Sequence, residues 1–100
     1  MSVTSERSED GQQLTIKIRG RFDFAAHQEF RSAYEESPGF SRFVVDLQGA
    51  SYLDSSALGM LLLLRDHAGG ERADVRLTNC NDDVLKILAI SNFNKLFRIG

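Results

Sequence analysis

The chain has 100 residues, of which 42% are apolar and 26% are charged, and its formal net charge is −2. This length suits one domain, which can bury about two-thirds of its unfolded surface and needs neither disulfides nor a metal to fold. One cysteine and two histidines exclude a disulfide framework and leave little for a zinc site. The lack of a basic surplus argues against a nucleic-acid partner.

No apolar segment has the length of a membrane span. The most apolar run, residues 57–64, is far shorter than the roughly 20 residues that cross a bilayer. Residues 1–11 are polar and lack the apolar centre of a signal peptide. We therefore expect a single cytoplasmic domain over residues 1–100, with no direct membrane insertion and no cofactor.

The first part of the chain predicts a strand followed by a helix. Residues 1–12 are polar and are expected to form a frayed end or an edge strand. Apolar residues alternate with polar ones over 14–18, which is typical of a strand with one buried face. Residues 24–36 carry apolar side chains at helical spacing, with Asp23 in the N-cap position and a Pro-Gly stop at 38–39.

The remainder predicts three further strands and two helices. The β-branched run 43–47 lacks clean alternation, which favours a central strand covered on both faces. A loop then leads to a helix over 55–67. Residues 75–77 predict another strand, 82–90 another helix, and 96–99 a short strand or helix start.

The alternating order of these elements predicts an α/β fold. Strand–helix–strand crossovers bring successive strands into parallel pairing and pack the helices against the sheet. We expect a mostly parallel central sheet of four to five strands.

Asp54, Ser55 and Ser56 stand where a connection meets the start of a helix. Their side-chain oxygens are of the types that accept the unpaired N–H groups of a first helical turn. A serine at this position also suits phosphorylation, which adds about −1.5 to −2 charge. The helix dipole and first-turn amides stabilise such a charge. Plain capping is the alternative for these residues, and also for Asp23.

The helix that follows is apolar on nearly every side. Such a helix is either buried all round or presents a second apolar face to a partner. We expect some of Met60, Leu63 and Leu64 to be exposed and available for partner binding. The alternative is that the whole leucine run belongs to the core.

The segment Asp54-Ser55-Ser56-Ala57-Leu58-Gly59 resembles the signature of the STAS domain in bacterial anti-sigma factor antagonists. Gly20-Arg21-Phe22-Asp23 resembles the Gly-x-x-Asp element of the same family. The resemblance extends over residues 14–97 and includes the order and spacing of the elements. Ala57 departs from the pattern, because many members have glycine there, and members often have a C-terminal helix beyond the position of Gly100.

The resemblance implies a non-enzymatic partner-switching regulator. In such proteins the unphosphorylated form binds a partner, usually an anti-sigma factor with serine kinase activity but in some members a similar regulator, and so frees a sigma factor or another target. The kinase phosphorylates the serine after the aspartate of the motif. That serine is Ser55 here, with Ser56 as the second candidate. The phosphorylated form is released, and a metal-dependent serine phosphatase resets it. The resemblance and the leucine-rich helix together place the partner-binding surface at Asp23, Asp54, Ser56, Leu58, Gly59, Met60 and Leu63.

Two other classes of function remain as alternatives. STAS-like proteins also serve as accessory subunits of membrane transport complexes, where the leucine-rich helix would be a permanent interface and Ser55 only a cap. A small enzyme or nucleotide-binding protein is disfavoured, because the sequence has no Gly-rich phosphate loop and no His-based catalytic set. The pathway controlled, such as stress, motility or biofilm formation, and the oligomeric state stay open.

Overall fold

A computed structural model describes residues 2–36 and 39–100. Its single sheet has five strands in sequence order, with β1 antiparallel to β2 and the other neighbours parallel. The strands are β1 (Ser2–Arg7), β2 (Gln13–Phe22), β3 (Arg42–Leu53), β4 (Val75–Thr78) and β5 (Arg98–Ile99). The mostly parallel sheet is confirmed. The polar N-terminal segment supplies its antiparallel edge strand.

Three α-helices follow β2, β3 and β4. They are α1 (His27–Glu35), which a 3-10 turn (Phe24–Ala26) precedes, α2 (Ser55–His67) and α3 (Asp82–Ile90). Side chains cap the 3-10 turn before α1 and the starts of α2 and α3, because Asp23, Asp54 and Asn81 each accept a backbone N–H. Of the predicted stop after α1, Gly39 has a left-handed φ of 98°, whereas Pro38 lies outside the described residues.

The core lies on one face of the sheet, beneath all three helices. Alternate residues of β2, β3 and β4 are buried there in matching register, namely Leu14, Ile16, Ile18, Phe43, Val45, Leu47, Val75 and Leu77. Their neighbours Val44 and Asp46 face the other side and are only half-buried. The prediction that residues 43–47 are covered on both faces is therefore wrong, because no described helix packs on that second face.

Strand β3 is longer than the sequence suggests. In place of a loop after Leu47, the strand continues to Leu53 and stays paired with β2 across two register shifts. The shifts break the alternation that identifies a strand, so that burial then recurs at every third residue, Leu47, Ala50 and Leu53. At Gly49 an added Cβ would lie 3.0 Å from Cγ of Arg19 and 3.1 Å from a backbone oxygen, so a larger residue would require β2 to shift by a few tenths of an ångström.

The end of the chain is a strand. Residues 98–99 pair with β4, which settles the choice between strand and helix start that the sequence left open. None of the helices within residues 2–36 and 39–100 has the length and apolar character required to cross a membrane.

Candidate functional site

Two aspartates lie side by side at the carboxyl edge of the sheet. Phe22 and Leu53 are paired residues at the ends of the neighbouring parallel strands β2 and β3. Asp23 and Asp54 follow them directly, and the Asp54 N–H donates to the Phe22 carbonyl at 3.4 Å. The register therefore brings together two predicted site residues that are 31 positions apart in the chain. Binding sites in open α/β sheets favour this edge.

Asp54 is the N-cap of α2. Its Oδ1 accepts the Ala57 N–H at 2.9 Å and the Ser56 hydroxyl at 2.8 Å. Desolvation by burial favours the neutral acid. The hydrogen bonds from Ala57 and Ser56 outweigh it and hold the pKa of the Asp54 carboxyl below its ordinary value of 3.8. At neutral pH the cap is therefore an ionised carboxylate at the positive end of the helix.

The two candidate serines differ in their environment. Ser56 is half-buried, and its hydroxyl donates to Asp54. Ser55 is exposed at the first position of α2, and within the described part of the chain its hydroxyl makes no hydrogen bond. A group transferred to Ser55 would meet open solvent, whereas one on Ser56 would break the contact with Asp54.

Asp23 combines a structural contact with a partly accessible carboxylate. Its Oδ1 accepts the Ala25 N–H at 3.0 Å, and Nε of Arg21 lies 3.8 Å from its Oδ2. The Arg21 guanidinium also lies over the Tyr52 ring, 4.7 Å from the centroid. The predicted capping role is confirmed.

The leucine-rich helix divides into a buried stripe and an outer face. The prediction that some of Met60, Leu63 and Leu64 are exposed is confirmed by Leu63, whereas Met60 is only 4% exposed and Leu64 is fully buried. The prediction that Met60 belongs to the partner-binding surface is therefore wrong. Leu63 is 49% exposed, whereas Leu58 and Gly59 are half-buried. Of the predicted apolar partner-binding residues, Leu58, Gly59 and Leu63 therefore remain accessible. Met60 packs in the core because it lies three residues after Ala57 and four before Leu64, on the side of α2 that faces the sheet.

Two exposed aromatic residues beside this site, Tyr52 and the more exposed Phe24, were assigned no role from the sequence. Phe24, directly after Asp23, is 75% exposed. Hydrophobic spacing placed it at the start of a helix, and nothing in that spacing distinguishes a buried first residue from an exposed one. One feature of the sequence indicates the exposure of Phe24. An apolar residue at the first position of a helix does not have to be covered by later residues of that helix.

An exposed hydroxyl, that of Ser55, is available at the site. Among the residues that the structure describes, no group of three or more His, Cys, Asp and Glu side chains is placed to hold a metal ion. Cys80 lies elsewhere, half-buried, and desolvation together with the charge of Asp46 raises the pKa of its thiol. The arrangement suits a residue that another protein modifies.

Comparisons with known proteins agree with this fold and motif. Residues 5–98 match a family model described as Mlab, STAS domain. A STAS-domain containing protein of Pseudomonas aeruginosa (strain UCBPP-PA14) is 65% identical over 103 residues, which cover both chains completely. The anti-sigma factor antagonist SpoIIAA in its unphosphorylated form has a TM-score of 0.80 at 17% identity, over 99% of this chain and 88% of that one.

A solved STAS domain is similar in sequence as well. The antisigma-factor antagonist of Rhodobacter sphaeroides is 30% identical, with a TM-score of 0.59, over 78% of this chain and 85% of that one. The family model and the Pseudomonas relative each span nearly all or all of the chain. The chain therefore belongs to the STAS-domain family.

Proposed function

We propose that the protein is an anti-sigma factor antagonist that binds its partner when unphosphorylated and is released by phosphorylation of Ser55. One observation carries the choice of residue. The Ser55 hydroxyl is exposed at the start of α2, whereas the Ser56 hydroxyl is engaged by Asp54 at 2.8 Å. The similarity to proteins described as anti-sigma factor antagonists supports the role.

A phosphate on Ser55 would change the surface without disturbing the core. The cap of α2 uses the Ala57 N–H and the Asp54 carboxylate, and neither involves the Ser55 side chain. The modification adds about −1.5 to −2 charge, against a net charge of −2 for the whole chain. The phosphate would lie near the carboxylates of Asp23 and Asp54. A partner whose surface is complementary to those two carboxylates would then meet a much more negative surface and would bind it less well.

The partner would contact the exposed groups around Ser55. These are the predicted residues that the structure leaves accessible, namely Asp23, Asp54, Ser56, Leu58, Gly59 and Leu63. The chemistry of the switch would come from other proteins, a serine kinase that is also the binding partner and a metal-dependent serine phosphatase. The chain itself would supply the acceptor and the docking surface.

The assignment of the acceptor is tested by intact mass. Protein purified from its native host should carry one phosphate that phosphatase removes, and fragmentation should place it on Ser55. Ser55→Ala should abolish the phosphorylated species, and the matched Ser56→Ala variant should retain it. Phosphate on the Ser55→Ala protein would move the site to Ser56. Absence of any phosphorylated species, with co-purification of an ATPase subunit, would favour the transport-complex subunit instead.

The switch is tested by binding to the kinase that phosphorylates Ser55. Ser55→Asp should bind it more weakly than the unmodified protein, and Ser55→Ala should bind constitutively. Ser5→Asp introduces the same charge at an exposed position of β1 and should leave binding unchanged. Equal affinities of the folded Ser55→Asp and Ser55→Ala proteins would contradict the switch.

A further inference from the structure

Phe24 is largely exposed and contributes little to the packing of the fold. Its side chain is 75% exposed, and its aromatic contact within the described residues is an edge-on approach to His27 at 6.2 Å. The 3-10 turn is held instead by the Asp23 cap and by fully buried Ala26. Phenylalanine is among the residues most often buried, so an exposed one beside a candidate site is informative.

The strand register brings the turn that contains Phe24 and the start of α2 to the same end of the sheet. Phe22 and Leu53 are paired, an aspartate follows each, and Phe24 and Ser55 come directly after those aspartates. Neighbouring strands are about 4.8 Å apart, and the 3-10 turn that contains Phe24 packs against α2. The exposed ring and the acceptor hydroxyl therefore start from adjacent points at one end of the molecule.

A second exposed part of the surface lies on the side of α2 that faces α1. The rings of His67 and Tyr34 lie 4.8 Å apart, which identifies that side of α2. Leu63 precedes His67 by four residues and Gly59 precedes Leu63 by four, so the three share one helix face. No atom lies within 4 Å of the position of a Cβ at Gly59, so this part of the surface is open. We call Phe24, Gly59 and Leu63 the anchor surface.

Charge indicates what covers the anchor surface. The carboxylates of Asp23 and Asp54 border it, and hydrogen bonds keep Asp54 ionised. Nε of Arg21 lies 3.8 Å from Oδ2 of Asp23, whereas Asp54 has no ion-pair partner among the described residues. A second copy of this chain would bring the same Asp54 charge to the interface, which costs free energy. A different protein, with an apolar pocket bordered by lysine or arginine side chains, fits both features.

We propose that Phe24 is the apolar anchor by which the protein binds the partner that phosphorylates Ser55. The inference rests on the proposed function and extends it to a residue outside the motif. Buried aromatic side chains at the centre of an interface carry much of its binding energy. When the Phe24 ring enters a pocket of the partner, a phosphate on Ser55 would lose its contact with water. That loss costs free energy, so phosphorylation would weaken binding through the anchor.

The test uses the purified serine kinase of the native host that phosphorylates Ser55, without ATP, so that Ser55 stays unmodified. Phe24→Ala should weaken its binding by about tenfold or more, and Phe24→Leu should retain most of the affinity. The matched control is Ile90→Ala, which truncates an 83% exposed apolar residue at the end of α3. That control should bind within about twofold of the unmodified protein. The urea unfolding midpoints of the three variants should equal that of the unmodified protein, because the Phe24 and Ile90 side chains are both exposed.

Each alternative outcome overturns a different claim. If Phe24→Ala binds within about twofold of the unmodified protein while Ser55→Asp does not bind, the anchor is wrong and the proposed function stands. If light scattering detects a dimer that Phe24→Ala abolishes, the occupant is a second copy and the proposal is wrong. If none of the host's serine kinases modifies Ser55, the proposed function fails, and the anchor fails with it.

Discussion

At the scale of single residues, the Asp54 carboxylate separates the roles of two adjacent serines. It accepts the hydroxyl of Ser56 and the N–H of Ala57, which ties both to the first turn of α2. Ser55 lies in the chain between Asp54 and Ser56, and its side chain is exposed to solvent. The capping carboxylate thereby both starts the helix and engages the Ser56 hydroxyl, while the Ser55 hydroxyl stays exposed.

This carboxylate should make stability depend on pH. Its pKa is lowered in the folded protein, so its ionised form contributes stability above its unfolded pKa, near the ordinary value of 3.8. That contribution is lost as pH falls through the lower folded pKa. Asp54→Asn keeps a capping oxygen but has no titratable group. The stability difference between the unmodified protein and Asp54→Asn should therefore be largest at pH 6 to 7 and shrink toward about pH 3.

Urea unfolding of both proteins between about pH 3 and pH 7 measures this difference. Asp66→Asn is a suitable control, because Asp66 is exposed on the last turn of the same helix. A difference for Asp54→Asn that is constant over the whole range would show that ionisation of the cap contributes nothing.

At the scale of elements, α2 has two faces although its sequence is apolar on nearly all sides. Its buried residues recur at helical spacing toward the sheet, namely Ala57, Met60, Leu61 and Leu64. Leu62 and Leu63 remain outside this stripe and are exposed. The buried stripe makes the helix part of the core, and the exposed leucines are available to a partner.

Two leucine truncations should separate these faces. Leu61 is fully buried, so Leu61→Ala should lower the free energy of unfolding by about 2–5 kcal/mol through lost burial and the cavity left behind. Leu63→Ala removes the same atoms from a 49% exposed side chain and should change stability by about 0.5 kcal/mol or less. Denaturant unfolding measures both. Similar losses for the two variants would place Leu63 in the core and remove it from the anchor surface.

At the scale of the whole molecule, the domain is one sheet with helices on a single face. Mostly parallel sheets are usually covered on both faces. Here half-exposed polar and charged residues cover much of the second face, with Lys17 bound to Glu6 at 3.1 Å and Arg76 to Asp74 at 3.3 Å. Such a face can remain in water without an exposed apolar layer.

Adjacent valines in β3 test this one-sided packing. Val45 is fully buried beneath the helices, whereas Val44 is half-buried on the open face. Val45→Ala should lower the free energy of unfolding by about 2 kcal/mol, since it removes about two buried carbon groups and leaves a cavity. Val44→Ala should cost less than about 1 kcal/mol, because it loses mainly strand propensity and partial burial. Equal costs would mean that a second layer covers the open face in solution.

The sequence by itself determined the class of fold and the position of the motif. Local signals suffice for both, because hydrophobic spacing identifies the helices, and Asp23 and Asp54 cap helix starts through neighbouring N–H groups. Only the tertiary structure decided the length of β3, the burial of Met60 and the exposure of Phe24. Each depends on contacts between segments distant in the chain: β2 extends β3 through its register, the sheet buries one stripe of α2, and nothing in the described chain reaches over Phe24.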